Sequence, residues 1–142
     1  MQKVYEFDPV LYPTRLWVVV KPDVREMDAE FYALDEYGET LDEMNKDLFD
    51  DSHTVAQTTL VQDKTSEYKG CLVAILRPKE VTPGIAAHEA SHCADYLCDS
   101  FGIKSDTFET GESRAYYVQW VADTIWDVLH NPAKCKSHLK NK

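Results

Sequence analysis

The sequence predicts an α+β domain in which a small antiparallel sheet packs on two long helices. A Val- and Trp-rich strand near the start of the chain and a hairpin in its middle supply the sheet. Apolar residues at spacings of three and four then predict two amphipathic helices between residues 82 and 130. We expect these helices to lie beneath the sheet.

The first half of the chain contains the predicted strands. Residues 15–21 form an apolar run that stops at Pro22, which is typical of a strand ending in a turn. In residues 54–62, β-branched residues are frequent and the pattern alternates as in a strand. Residues 63–70 are polar and read as a turn, and residues 71–76 are continuously apolar. Together they predict an antiparallel hairpin. Residues 23–36 are predicted to form a helix, because their apolar positions recur at spacings of three and four: Val24, Met27, Phe31 and Leu34. The acidic segment 41–51 fits either a short helix or an ordered loop.

The first long helix is predicted from residue 82 to about residue 100. Thr82 is a suitable N-cap, and Pro83 follows it at the first helical position, where proline is favoured. Gly102 then provides a stop, because glycine is common just past a helix C-terminus.

The second long helix is predicted over residues 107–130. Asp106 and Glu109 resemble a capping box, and an apolar stripe continues to Leu129 before the Asn131-Pro132 stop. Residues 1–132 therefore form a single domain. Residues 133–142, which are rich in lysine, are expected to be a loose basic C-terminal tail.

Composition narrows the class of protein. A chain of 142 residues fits one domain. With 15 Lys and Arg against 25 Asp and Glu, its net charge of −10 argues against a nucleic-acid partner. The longest apolar runs, 16–20 and 71–76, fall far short of the ~20 residues of a membrane helix. We find no secretion signal, so we expect a cytoplasmic protein with its four cysteines reduced.

A metal-binding motif lies in the first long helix. Residues 88–92 read HEASH, an HExxH pattern. A spacing of four turns the imidazole of His92 only ~40° from that of His88 and displaces it by ~6 Å, so both can bind one ion. Neutral imidazoles suit Zn²⁺. Glu89 lies ~100° from His88, beside the metal, where it can accept a proton from a water.

These residues resemble the HExxH zinc metallopeptidases, and among them the gluzincin-like group, whose third ligand is a glutamate on a following helix. The segment 110–116, TGESRAY, is similar to the Glu-x-x-Ala helix start of small phage- and prophage-encoded members. Glu112 lies twenty residues after His92, which is similar to the family's separation. The resemblance covers residues 70–130 and implies a zincin-like fold. The sequence departs from some of these families at Tyr116, where they have an aspartate that supports the first histidine.

The resemblance implies a zinc ion held by His88, His92 and Glu112, with Glu89 as the general base. The position of Glu112 near a helix N-terminus and at the edge of an apolar stripe independently favours it. Its rivals as third ligand are Glu109 and His53. A purely helix-stabilising role is the plainer interpretation of Glu112.

Further residues near the motif have weaker assignments. Tyr116, which we place in the catalytic set, could stabilise an oxyanion, and so could Tyr117 or Arg114; core packing is the alternative for the tyrosines. Asp95 could orient an imidazole.

The predicted function is hydrolysis of peptide bonds in a peptide or protein substrate. The resemblance implies that the substrate lies extended along an exposed strand edge. One alternative is a non-catalytic zincin-like module that binds or regulates a partner, and another is an accidental HExxH in a purely structural domain. The sequence does not indicate the oligomeric state.

Overall fold

The computed structural model describes residues 2–41 and 53–140. Five strands form one sheet in the order β1-β2-β5-β4-β3. The strands are β1 (Lys3–Phe7), β2 (Arg15–Val20), β3 (Phe31–Ala33), β4 (Ala56–Asp63) and β5 (Lys69–Ile75). The helices are α1 (Val24–Glu30), α2 (Pro83–Phe101) and α3 (Glu112–His130), with short 3-10 segments at Pro78–Glu80 and Pro132–His138. The α+β class is confirmed.

The sheet is mixed, so the prediction of an antiparallel sheet is wrong at its centre. β4 pairs antiparallel with β5, which confirms the predicted hairpin, but β2 pairs parallel with β5. Both central strands are buried on their two faces and therefore consist of continuous apolar runs. β1, which the sequence analysis missed, pairs antiparallel with β2 at one edge.

Each face of the sheet has its own apolar core. α2 and α3 cover one face, where Val18 and Val73 meet Ala90 and Val121. On the opposite face Trp17 and Leu72 pack with Met27 of α1 and with Phe31. The predicted arrangement of two long helices on one side of the sheet is therefore confirmed.

α1 is shorter than predicted. It begins after the N-cap Asp23 and ends at Phe31, where the backbone becomes extended and β3 begins. Phe31 is fully buried with its ring edge-on to Trp17, at a centroid distance of 5.1 Å. The apolar spacing that suggested a longer helix thus arises from a strand residue that belongs to the same core.

The two long helices differ in how well their starts were predicted. α2 begins after Thr82, whose side chain accepts a hydrogen bond from the Ile85 N–H, and ends before a left-handed Gly102. Both ends are confirmed. α3 begins only at Glu112. Thr107 and Thr110 hydrogen-bond to each other, and the Thr110 hydroxyl donates to Asp106 Oδ1, in a turn that replaces the predicted capping box.

The C-terminal segment packs on the domain, in contrast to the predicted loose tail. Residues 132–138 are helical with Cys135 buried, and Leu139 bridges to Tyr5 of β1. Lys140 then lies between the carboxylates of Glu30 and Asp63, at 3.3 and 3.4 Å.

The segment 41–51, for which the sequence left a short helix or an ordered loop open, lies almost wholly outside the described residues. Within the described part of the chain, no helix is both long and apolar enough to cross a membrane.

Candidate functional site

The three motif residues occupy one turn of α2 but differ in exposure. His88 and His92 are exposed, whereas Glu89 is only 5% exposed. Successive residues on a helix point ~100° apart, so a helix packed on a sheet can direct Glu89 towards the sheet while its neighbour faces solvent. The side chain of His88 is 68% exposed.

The two imidazoles converge on one point. Their Nε2 atoms are 3.3 Å apart, and the rings are nearly perpendicular, at 80°, with centroids 4.9 Å apart. The i, i+4 spacing therefore brings the same nitrogen of both rings together, as predicted from helix geometry.

Glu89 is held from the sheet side. Thr58 of β4 donates a hydrogen bond from Oγ1 to Glu89 Oε1 over 3.0 Å. The other carboxylate oxygen, Oε2, lies 4.0 Å from Nε2 of His88. One oxygen is thus anchored, and the second lies on the side of the histidines.

A cleft of about 1070 Å³ opens between α2 and the outer part of the sheet, with the motif on its wall. Its opposite side comprises β4 and the turn after β3, which Lys69 fixes by donating from Nζ to the Gly38 carbonyl over 3.0 Å. The lining residues beyond the motif are Pro13, Leu34, Glu36, Tyr37, Gly38, Ala56, Gln57, Thr58, Leu60, Glu67, Lys69, Tyr96, Asp99, Ser100 and Phe101.

Buried thiols lie behind the motif. Cys93 is 1% exposed, and a side-chain hydrogen bond with Cys71 together with burial raises its pKa well above the ordinary value. The described residues contain four cysteines, all free and buried. Cys93 is therefore a neutral core group at neutral pH.

The residues that the sequence analysis grouped with the histidines lie further away. Glu112 is the first residue of α3 and is exposed. Tyr116 is 64% exposed and does not line the cleft. Tyr117 is buried in the core, and burial raises its pKa, so it is not an exposed oxyanion donor.

Asp95 contacts α3 instead of an imidazole. Its Oδ1 accepts hydrogen bonds from Nε and Nη2 of Arg114, at 3.1 and 2.9 Å. In this structure Asp95 thus pairs with Arg114, the residue that the sequence analysis named as a possible oxyanion donor. The ion pair nevertheless brings the beginning of α3 alongside α2, one turn beyond His92.

The rival ligands are also exposed. Glu109 lies in the loop before α3, and His53 lies at the start of the second described segment. Within residues 2–41 and 53–140, no three His, Cys, Asp or Glu side chains cluster closely enough to hold a metal ion together. The conformation described here therefore assembles the histidine pair and Glu89, and leaves Glu112 apart from them.

The sequence analysis did not single out Thr58 and Tyr96, which line the cleft beside the motif. Thr58 lies 31 positions before Glu89, and nothing in the alternating pattern of β4 singles it out. Tyr96 follows His92 by one turn and lines the cleft. Its position one helical turn after the motif was the available signal.

Comparison with protein families, with curated proteins and with solved structures finds no match to this chain. The case for function therefore rests on the geometry of the site.

Proposed function

We propose that the chain is a zinc-dependent metallopeptidase with a zincin-like arrangement of the HExxH helix and sheet. The observation that carries the proposal is the 3.3 Å separation of the Nε2 atoms of His88 and His92. Two nitrogen ligands at the usual Zn–N distance in tetrahedral geometry are about 3.3 Å apart. An imidazole–imidazole hydrogen bond gives a similar distance when no metal intervenes, so metal binding has to be measured directly.

Glu89 is the proposed general base. Bound zinc would supply a Lewis acid that polarises a peptide carbonyl and lowers the pKa of a water. Oε2 of Glu89 lies 4.0 Å from Nε2 of His88 and would accept the proton of that water. The same oxygen can return the proton to the leaving amine, and the buried position of Glu89 limits competition from bulk water.

Glu112 is the proposed third ligand. The Asp95–Arg114 ion pair, at 2.9 Å, holds the first turn of α3 beside α2. Glu112 precedes Arg114 by two residues and is exposed at the start of α3, so this role requires the beginning of α3 to move towards His92 when the metal binds. Glu109 and His53 are the rival ligands that the same experiments test.

The proposed substrate is a peptide or protein segment that lies along β4. β3 pairs with β4 only at residues 61–63, and the Leu34 N–H donates to the Leu60 carbonyl. Among the described residues, no strand pairs with Ala56–Thr59 on that side of β4. Because this edge borders the cleft beside Glu89, an extended peptide could add to it as a strand.

Zinc analysis with a peptidase assay tests the proposal. After equilibration with zinc and removal of unbound metal, elemental analysis should find one zinc per chain, and none in His88→Ala. The wild type should cleave an unstructured protein, and a chelator should stop cleavage. The matched control is His130→Ala, which removes an exposed histidine at the far end of α3 and should change neither result.

The outcomes separate the alternatives. Wild-type protein that retains no zinc contradicts the metal site and leaves the contact between His88 and His92 as a hydrogen bond. Protein that binds zinc but cleaves no unstructured protein contradicts the peptidase assignment and favours the non-catalytic module.

A further inference from the structure

A hydrogen bond from the sheet reaches the carboxylate of the motif. Thr58 lies on β4, in the row of side chains that faces α2, between Ala56 and Leu60. Its Oγ1 is 3.0 Å from Oε1 of Glu89 and 3.5 Å from the Glu89 carbonyl oxygen. Since a carboxylate has no hydrogen to donate, the hydroxyl is the donor.

The hydroxyl is held rigidly. A β-branched side chain on a strand has few χ1 rotamers, and β4 is fixed by antiparallel pairing with β5 from residue 56 to residue 62. Glu89, in contrast, has three side-chain torsions, and its carboxylate can reorient unless a partner fixes it. β4 therefore holds the Thr58 hydroxyl in a fixed position, and the hydrogen bond from this hydroxyl restricts the otherwise mobile carboxylate of Glu89.

We propose that Thr58 is a positioning residue that orients Glu89 for proton transfer. By binding Oε1, it leaves Oε2 on the side of the histidines, 4.0 Å from Nε2 of His88. This inference rests on the proposed function, because it assigns Thr58 a role in the same reaction. In this role the hydroxyl of Thr58 acts through Glu89 and does not itself transfer a proton.

The test compares two variants of Thr58 with a control threonine variant. Thr58→Val keeps the size and branching but removes the donor, so kcat should fall about 10- to 100-fold, as expected for a misplaced catalytic group. KM should stay within about twofold and zinc content should be unchanged, since neither depends on the orientation of Glu89. Thr58→Ser restores the hydroxyl and should recover most of kcat. The matched control is Thr65→Val, which makes the same change at an exposed position in the turn after β4, outside the cleft, and should leave kcat unchanged.

A structural readout accompanies the kinetics. Crystal structures of the wild type, Thr58→Val and Thr58→Ser should show the carboxylate of Glu89 displaced only in the Val variant. Thermal unfolding of each variant confirms that it is folded.

The outcomes are distinct. Wild-type kcat in Thr58→Val, or equally slow Val and Ser variants, overturns the positioning role. Loss of zinc together with activity in Thr58→Val also overturns it, because the defect is then structural. A wild type that binds zinc but hydrolyses no peptide refutes the proposed function and the positioning role of Thr58 with it. An undisplaced carboxylate in Thr58→Val refutes the hydrogen bond as an orienting contact even if the enzyme is active.

Discussion

At the scale of single residues, the site depends on the different environments of His88 and Glu89, which are adjacent in the chain. The side chain of His88 is 68% exposed and that of Glu89 only 7%. Metal ligands at a cleft wall must be reachable from solvent, whereas a general base works best where its orientation is fixed and water is limited. The packing of α2 on the sheet provides both conditions within one helical turn.

Replacement of Glu89 by glutamine should abolish hydrolysis while keeping zinc and fold. The amide has the same size, and its oxygen can still accept the hydrogen bond from Thr58, but it cannot take a proton at neutral pH. Loss of a general base typically lowers kcat by about 10²–10⁴-fold. Elemental analysis, thermal unfolding and cleavage of an unstructured protein measure the three properties side by side.

The control is Glu80→Gln, which removes an exposed carboxylate paired with Arg77 and should leave kcat unchanged. If Glu89→Gln cleaves as fast as the wild type, Glu89 is not the base.

Replacement of Glu112 by alanine should release zinc nearly as fully as His92→Ala. Removal of any one of three protein ligands leaves a two-ligand site of much lower affinity. Equilibrium zinc titration of both variants checks the expectation, with Ser113→Ala as the control because it changes the neighbouring exposed residue. Full zinc occupancy in Glu112→Ala would instead assign the third ligand to Glu109 or His53.

At the scale of secondary-structure elements, local sequence signals predicted the ends of α2 but not the pairing of β2 with β5 or the length of α1. The ends of α2 were predictable because Thr82 and Gly102 act on the backbone within a few residues. The parallel pairing of β2 with β5 joins residues more than fifty positions apart, and no local periodicity encodes it. α1 was overestimated because Phe31 and Met27 share one core, which apolar spacing alone cannot distinguish from a shared helix face.

The parallel pairing of β2 with β5 also requires a residue without a Cβ at Gly70. It lies opposite Arg15 in the β2–β5 register, and a Cβ built on it would overlap the Arg15 carbonyl oxygen. Since that oxygen belongs to the backbone of a buried central strand, it cannot easily move. Gly70→Ala should therefore lower the free energy of unfolding by about 2–3 kcal/mol, in the range of overpacked cores.

Denaturant unfolding of Gly70→Ala measures this change, with Gly84→Ala as the control. A Cβ at Gly84 would meet only Oγ1 of Thr82, at 3.7 Å, and alanine is the better helix former. Gly84→Ala should leave stability unchanged or raise it by up to about 1 kcal/mol. Equal stabilities of Gly70→Ala and the wild type would contradict the close approach of β2 and β5.

At the scale of the whole molecule, the site was only half predictable. The HExxH pattern identifies three side chains on one helix because their geometry is local. The environment of these side chains comes from β4 and from the turn after β3, and only the tertiary fold brings those segments to α2. Thr58 is the clearest example, since its hydrogen bond to Glu89 spans 31 positions of the chain.

The charge of the molecule leads to a prediction about substrates. The chain has a net charge of −10, and the cleft is lined by the carboxylates of Glu36, Glu67 and Asp99. None of the three forms an ion pair with another described residue. The one lysine of the lining, Lys69, donates its hydrogen bond to the Gly38 carbonyl. The cleft is therefore a region of negative potential beside the histidines.

A negative cleft with low-dielectric walls attracts cations and raises their association rate. We expect kcat/KM for a lysine-containing peptide to exceed that for the matched glutamate-containing peptide by about tenfold or more at low salt. The preference should shrink as salt rises from about 50 to 500 mM, because screening shortens the range of the field. Asp99→Asn should reduce the preference without altering zinc content, whereas Asp123→Asn, an exposed change on α3, should leave it intact. Equal rates for the two peptides at low salt would show that the carboxylates of the cleft do not select the substrate, and that shape alone governs what lies along β4.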